Sequence, residues 1–402
     1  MLIILMIAVI PFLGIPDIIA AFRSGRGALY LFESRLGGER ASGSFLYLRE
    51  ILLFVFTVVL FLWLALRGRP LPRLQVVPAL LVSVVSSLAI ALILYPPLVA
   101  LSGLRQFTYL TLVYSLYFIR IDSPRIEPLF VRVLIFVAVC EFIPALAETA
   151  LLGQAEDNAL LGPRAYGTFN DPNTLAVTFA LIVFCVLFFG TLSRGGTLLV
   201  IGVAIASELM SGSRTGMVAV AFVLLAYAIQ KMKTVETRGM VITLAILLII
   251  PLYYSLTMLS GREGAVDPHR DPRVEIFLDE LEGKGLGQQL FGRGLGVGTS
   301  TLYALSQGKP EYSNLVRILD STYTGLLVQI GLVGLGAFLL SFACLAHRCG
   351  VEGWILFGVM LIVGVNGNVL EYYPFNLILA ASFGILWARR VILRKHTFQS
   401  VS

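Results

Sequence analysis

Apolar residues in this chain come in long runs, each roughly 18–25 residues, the length a helix needs to cross about 30 Å of hydrocarbon. No other feature restricts the possible folds as much. The composition agrees: 57% of the 402 residues are hydrophobic and 13% are charged. Soluble domains carry about a quarter charged residues, so this chain could not cover a soluble surface with polar groups. A transmembrane β-barrel would instead show alternating segments of about ten residues, and none occurs. The expected fold is all-α and membrane-embedded.

The runs predict about twelve spans, near 2–20, 46–66, 74–94, 98–119, 129–152, 173–191, 195–211, 215–230, 239–259, 322–346, 353–371 and 375–393. They form a single polytopic domain over residues 1–402. The first run lacks a basic leader and a small-residue cleavage site and carries Pro11 and Asp17, so it reads as a span rather than a signal peptide. One long loop, 260–321, separates the ninth and tenth spans. No internal repeat is evident.

Basic residues set the orientation. Arg67, Arg69, Arg73, Arg120, Arg125, Arg194, Lys231, Lys233, Arg238, Arg348, Arg389, Arg390, Arg394 and Lys395 all fall on one side. By the positive-inside rule that side, with both termini, is cytoplasmic. Arg23, Arg26, Arg35 and Arg40 in the first external connection oppose this and are outnumbered. The net charge of +6 follows largely from the same bias, which also suits anionic membrane lipids and calls for no nucleic acid. Of the four cysteines, Cys140, Cys185 and Cys344 lie in spans and Cys349 on the cytoplasmic side, so no external disulfide framework is expected.

Polar motifs then gather on the outer face: Gly167-Thr168-Phe169-Asn170-Asp171-Pro172-Asn173, Ser211-Gly212-Ser213-Arg214-Thr215-Gly216, the long loop, and Asn366 to Tyr373. The first two each lead into a helix whose N-terminus points outward. Free N–H groups and a partial positive charge there suit phosphate, although each motif also reads as an ordinary helix cap. Within the loop, Asp271-Pro272 resembles a helix start. Val274, Phe277, Leu278 and Leu281 follow at i, i+3, i+4 and i+7, an amphipathic stripe able to lie on the bilayer. A pliant Gly-rich turn, Phe291 to Gly298, comes next. Its glycine spacing is like a dinucleotide fingerprint, but no parallel-sheet unit surrounds it. Asp320 is placed to cap the tenth span.

There is no Walker-type phosphate loop and no paired-Asp motif. Of His269, His347 and His396 only the first is external, which argues against a histidine metal site. The remaining external chemistry is guanidinium and carboxylate: Arg214, Arg273 and Arg293 with Asp320, Glu148 and Glu371. Inside the spans, Arg105 and Glu141 stand out. A charge near the bilayer centre costs about 3 kcal/mol or more, which marks a functional candidate, a mutual pair or a snorkelling side chain.

Taken in order, the motifs resemble the O-antigen polymerase and ligase superfamily. Gly167-Thr168-Phe169-Asn170-Asp171-Pro172-Asn173-Thr174-Leu175-Ala176 looks like its G-T-F signature. Ser213-Arg214-Thr215-Gly216 is similar to its S-R-[ST]-[GA] turn. Arg273 with Leu290 to Gly296 is similar to its R…P-L-x-G-x-G run, and Asp320-Ser321-Thr322-Tyr323 with Gly331-Leu332-Val333-Gly334 resembles its last segment. The resemblance covers roughly residues 160–340. It implies a twelve-helix glycosyltransferase fold of the C type, acting in the bacterial inner membrane at its periplasmic face. The implied donor is an oligosaccharide on undecaprenyl pyrophosphate, with no cofactor or metal; a flippase and a chain-length regulator are the implied partners. Arg214 and Arg273 would hold the pyrophosphate, and Asp320 would act as base or orient the acceptor. Arg293, Asn170, Asn173, Arg105 and Glu371 are the expected substrate-binding residues. Ligases of the family carry histidine where Asp320 stands, so the polymerase activity is favoured over transfer to lipid A–core. A secondary transporter or flippase is the alternative from another class, since twelve spans also suit those.

Overall fold

The computed structural model describes residues 77–152 apart from Pro124, Ala165, Gly167, Phe169, 172–231 apart from Thr191, 285–299 and 321–399, with Val55, Val59 and Leu66. Among them there are helices and no strands. Four helices contain segments long and apolar enough to cross a membrane: Ile126–Ala150, Arg194–Ser211, Thr322–Cys349 and Phe375–Arg394. The expected spans at 2–20, 46–66 and 239–259 lie outside the described residues except for Val55, Val59 and Leu66, which are helical. So does the expected amphipathic stripe Val274 to Leu281.

The described residues divide into two compact units. One draws on Ser123–Val266, the other on Leu52–Asp122 and Asp267–Ser402. The first unit holds α4 (Ile126–Leu152), α5 (Pro172–Phe189), α6 (Arg194–Ser211) and α7 (Arg214–Lys231). Its centre is α5, which packs against the other three and is buried at every position from Thr174 to Leu187. That suits its sequence, since a helix apolar all round has no face for water. Around it, α4 turns Leu129, Phe136, Ile143 and Leu146 outward. An outer face of large apolar side chains is what lipid, not water, favours.

The second unit holds α1 (Val77–Leu94), α2 (Pro97–Thr108), α3 (Leu110–Asp122), the short α8 (Leu286–Phe291), α9 (Thr322–Cys349), α10 (Val351–Asn366) and α11 (Phe375–Gln399). Gly384 brings α11 against the Val113 carbonyl of α3, where a Cβ would collide. Trp387 then stacks on Tyr117 at 4.6 Å and meets Tyr114 edge-on at 5.9 Å. The expected single span 98–119 is two helices here, divided at Tyr109. The Thr108 hydroxyl donates to the Arg105 carbonyl at 2.6 Å, a local bond that competes with the backbone ladder.

The 28-residue α9 is not continuous. Gly331, at φ 69° and ψ −175°, interrupts it ten residues from its start. An L-residue rarely occupies this backbone region, so the break depends on glycine.

Candidate functional site

In the second unit the break in α9 is the organising feature. A helix interrupted at Gly331 leaves carbonyls in the preceding turn without their usual i+4 partners, and such groups inside an apolar core must be bonded elsewhere. Here the Gly-rich segment supplies the donors. Arg293 N–H donates to the Val328 carbonyl at 2.7 Å, and Gly294 N–H to the Gln329 carbonyl at 3.3 Å. The Ser87 hydroxyl of α1 also donates to the Gln329 carbonyl, at 2.5 Å. The Gln329 side chain, 1% exposed, accepts from Gly296 N–H at 3.2 Å. Glycine is required for this approach: a Cβ at Gly292 would strike the Gln329 carbonyl, one at Gly331 the Leu290 carbonyl, and one at Gly296 the Val99 carbonyl. The segment expected to be a pliant turn is therefore a buried plug, its backbone bonded into a broken helix.

That plug carries Arg293. The residue is half-buried and lines a cavity of about 570 Å³ together with Ser86, Ile90, Leu94, Gln288 and Phe291. One cation among mostly apolar walls suits a molecule with an anionic head and an apolar body.

Next to the plug, the Ser102 and Thr299 hydroxyls lie 3.3 Å apart, and Gly103 of α2 closes on Gly296. One turn on in α2 come Arg105, half-buried, and Gln106, buried. The Gln106 amide donates to Glu371 Oε1 at 2.6 Å, which fixes that carboxylate in the α10–α11 connection. The same connection receives the start of α9. The Thr322 hydroxyl donates to the Gly367 carbonyl at 2.8 Å and accepts from Val369 N–H at 2.8 Å. Ser321 occupies the N-cap position of α9, but its hydroxyl donates to the Gly364 carbonyl at 3.1 Å. The capping position expected for Asp320 therefore falls one residue later. Asp320 itself lies outside the described residues.

In the first unit the motifs form local structures. Gly212, at φ 60°, ends α6 and donates to the Glu208 carbonyl at 3.0 Å. The Ser213 hydroxyl then accepts from Gly216 N–H at 3.3 Å, an N-cap for α7. Arg214 follows as the first residue of α7, with its side chain exposed. In the Gly-Thr-Phe motif, Gly167 at φ 60° donates its N–H to Glu148 Oε2 at 3.0 Å. A Cβ there would meet Glu141 Oε2. Both acids are buried in α4, so the glycine makes room for two carboxylates. Asn173 is half-buried in the first turn of α5.

The predicted site residues thus divide. Arg105, Arg293 and Glu371 belong to the second unit, while Arg214 and Asn173 belong to the first. Arg273 and Asn170, like Asp320, lie outside the described residues. Among the described residues no group of three or more His, Cys, Asp or Glu side chains converges as a metal site. The sequence reading missed Gln106, Gln329 and Ser87, polar residues in apolar helices that look unremarkable until their partners are known. It also missed Glu208, an acid within the 195–211 run, which the criterion applied to Arg105 and Glu141 would have found. A scan against protein-family models gives no match for this chain, and a search of curated proteins gives none either.

Proposed function

We propose that this protein is a membrane glycosyltransferase that polymerises lipid-linked oligosaccharide repeat units, in the manner of the O-antigen polymerases. The observation that carries the reading is Arg293, presented to a largely apolar cavity by a Gly-rich segment that is itself bonded into the broken α9. Support comes also from the ordered resemblance between residues 160 and 340 and from Arg214 on a capped helix N-terminus. In the proposed reaction an acceptor hydroxyl attacks the anomeric carbon of a glycan carried on undecaprenyl pyrophosphate. The carbon–oxygen bond to pyrophosphate breaks, and its electron pair leaves on the phosphate. On the family resemblance, Arg214 and Arg273 would hold the pyrophosphate, Asp320 would take or orient the hydroxyl proton, and Arg293 would bind the substrate. Guanidinium groups do the work otherwise given to a metal, so neither metal nor nucleotide enters the scheme. The setting we propose is the bacterial inner membrane, with both termini cytoplasmic and the reaction on the periplasmic side.

One observation favours a second reading, a transporter or flippase for lipid-linked sugars: α9 is long and apolar enough to cross a membrane and is broken at Gly331. Broken helices in transporters direct free backbone groups at a substrate. Here the Val328 and Gln329 carbonyls are taken by the protein's own Gly-rich segment, which weighs for the enzyme. Purified protein incubated with lipid-linked repeat units should give a ladder of products without added lipid A–core. A single product formed only when lipid A–core is present would make it a ligase instead, and no product at all would contradict both activities.

A further inference from the structure

The proposed chemistry uses no acid from the first unit, yet four glutamates are buried among its described residues: Glu127, Glu141, Glu148 and Glu208. Glu148 holds Gly167, and Glu127 and Glu141 have interactions of their own. Glu208 differs. It is 2% exposed, stands in the last turn of α6, and neither carboxyl oxygen has a hydrogen-bond partner among the described residues. Its position is built rather than accidental. A Cβ on Gly216, in the first turn of α7, would strike both Glu208 Oε2 and the Ala176 methyl of α5. The slot exists because that side chain is missing.

Among the described residues, the charged and titratable groups on the surrounding helices offer little to an ionised carboxylate. On α5 there is Cys185 alone. On α4 there are Glu127, Arg132, Cys140, Glu141 and Glu148, the last two directed at Gly167. On α6 itself Arg194 stands at the opposite end. On α7, Arg214 is in the first turn but exposed, and Tyr227 and Lys231 are at the far end. A bare carboxylate in an apolar interior is strongly disfavoured, and binding a proton removes the charge.

We propose that Glu208 is a proton-binding site, held as a neutral acid against the first turn of α7 and able to release its proton only when the α6–α7 turn opens. Release leaves a carboxylate beside the positive end of α7, where it offsets the Arg214 charge. The proton therefore sets how strongly this turn attracts an anion. The assignment stands on the burial of Glu208 and is independent of the glycan reading.

The test uses the full chain in lipid nanodiscs. In infrared difference spectra at neutral pH, wild type minus Glu208→Gln should show a carboxylic-acid C=O stretch that the variant lacks. Loss of carboxylate bands instead would overturn the proposal. Wild-type protein gives a second measurement should the variant fail to fold. A lipophilic carbodiimide, which reacts with protonated buried acids, should leave an adduct on Glu208 detectable by peptide mass spectrometry, and an unmodified Glu208 would overturn the assignment. Coupling to the turn is read by hydrogen exchange over residues 212–217. As pH rises, protection of these amides, taken relative to the intrinsic chemical rate at each pH, should fall at least 10-fold in wild type and stay constant in Glu208→Gln. Equal behaviour of the two would sink the coupling.

Discussion

The two units solve the same problem, polar backbone in an apolar interior, in opposite ways. In the first unit the donors and acceptors around the Ser-Gly-Ser-Arg-Thr-Gly turn are met by neighbours two to four residues away: Gly212 by Glu208, Ser213 by Ser211, Gly216 by Ser213. In the second unit the carbonyl of Gln329 is met by Ser87, 242 residues distant, and its side chain by Gly296, 33 residues distant. Local bonding closes the backbone of the first turn within its own residues. Distant bonding makes a plug that exists only when three segments are already in place, and the plug bears the cavity-lining Arg293.

Substitutions that separate these two kinds of bonding have graded effects. The largest is expected within α9. Gly331→Ala should cost about 3 kcal/mol or more, through its backbone region and the collision with the Leu290 carbonyl. Gly336→Ala in the same helix meets nothing within 4 Å and should gain about 0.5–1 kcal/mol from propensity. Thermal unfolding in detergent reads both, and equal effects at the two glycines would remove the break from the account. Next in size, Arg214→Ala and Arg293→Ala should each lower polymerising activity about 100-fold, the scale of one transition-state donor. If only one falls, the arginine of the unaffected unit has no part in the reaction.

Smaller effects sharpen the local-against-distant contrast. Ser87→Ala removes one of two donors to the Gln329 carbonyl and should cost about 1–1.5 kcal/mol. Hydrogen exchange should then rise in both 292–296 and 326–330. Ser213→Ala should cost about 1 kcal/mol and Ser213→Gly a few tenths, with faster exchange confined to the start of α7. A Ser213 effect spread through the unit would mean that its turn is not local after all.

The same contrast explains what the sequence made legible. Apolar runs located the long described helices to within about six residues, because length and hydropathy are properties of one segment, but they missed the division at Tyr109, the break at Gly331 and the short α8. The Ser-Gly-Ser-Arg-Thr-Gly motif read as a helix cap for the same reason, although nothing in it singled out Ser213 as the cap or Gly212 as the helix end. Gly331 and Gly336 are alike in sequence. What separates them is the Leu290 carbonyl, 41 residues from Gly331, which no local pattern reveals. The Gly-rich segment read as a pliant turn because its partners, Gln329 and Ser87, lie in other apolar runs. The cap assigned to Asp320 moved to Ser321, where Ser321 bonds the Gly364 carbonyl of α10 and Thr322 bonds the α10–α11 connection at Gly367, partners that no local pattern reveals. Glu208 was visible as an acid in an apolar run, but its isolation is a fact of packing.

If this protein forms glycosidic bonds at the expense of the pyrophosphate linkage, as we propose, carrier release and bond formation must match. The measurement uses wild-type protein in vesicles, given lipid-linked repeat units on one side only, and counts free undecaprenyl pyrophosphate against linkages made. One carrier should be released for each new linkage, undiminished by a metal chelator. Repeat units that cross the bilayer intact, with no carrier released, would contradict the proposal and identify a transporter.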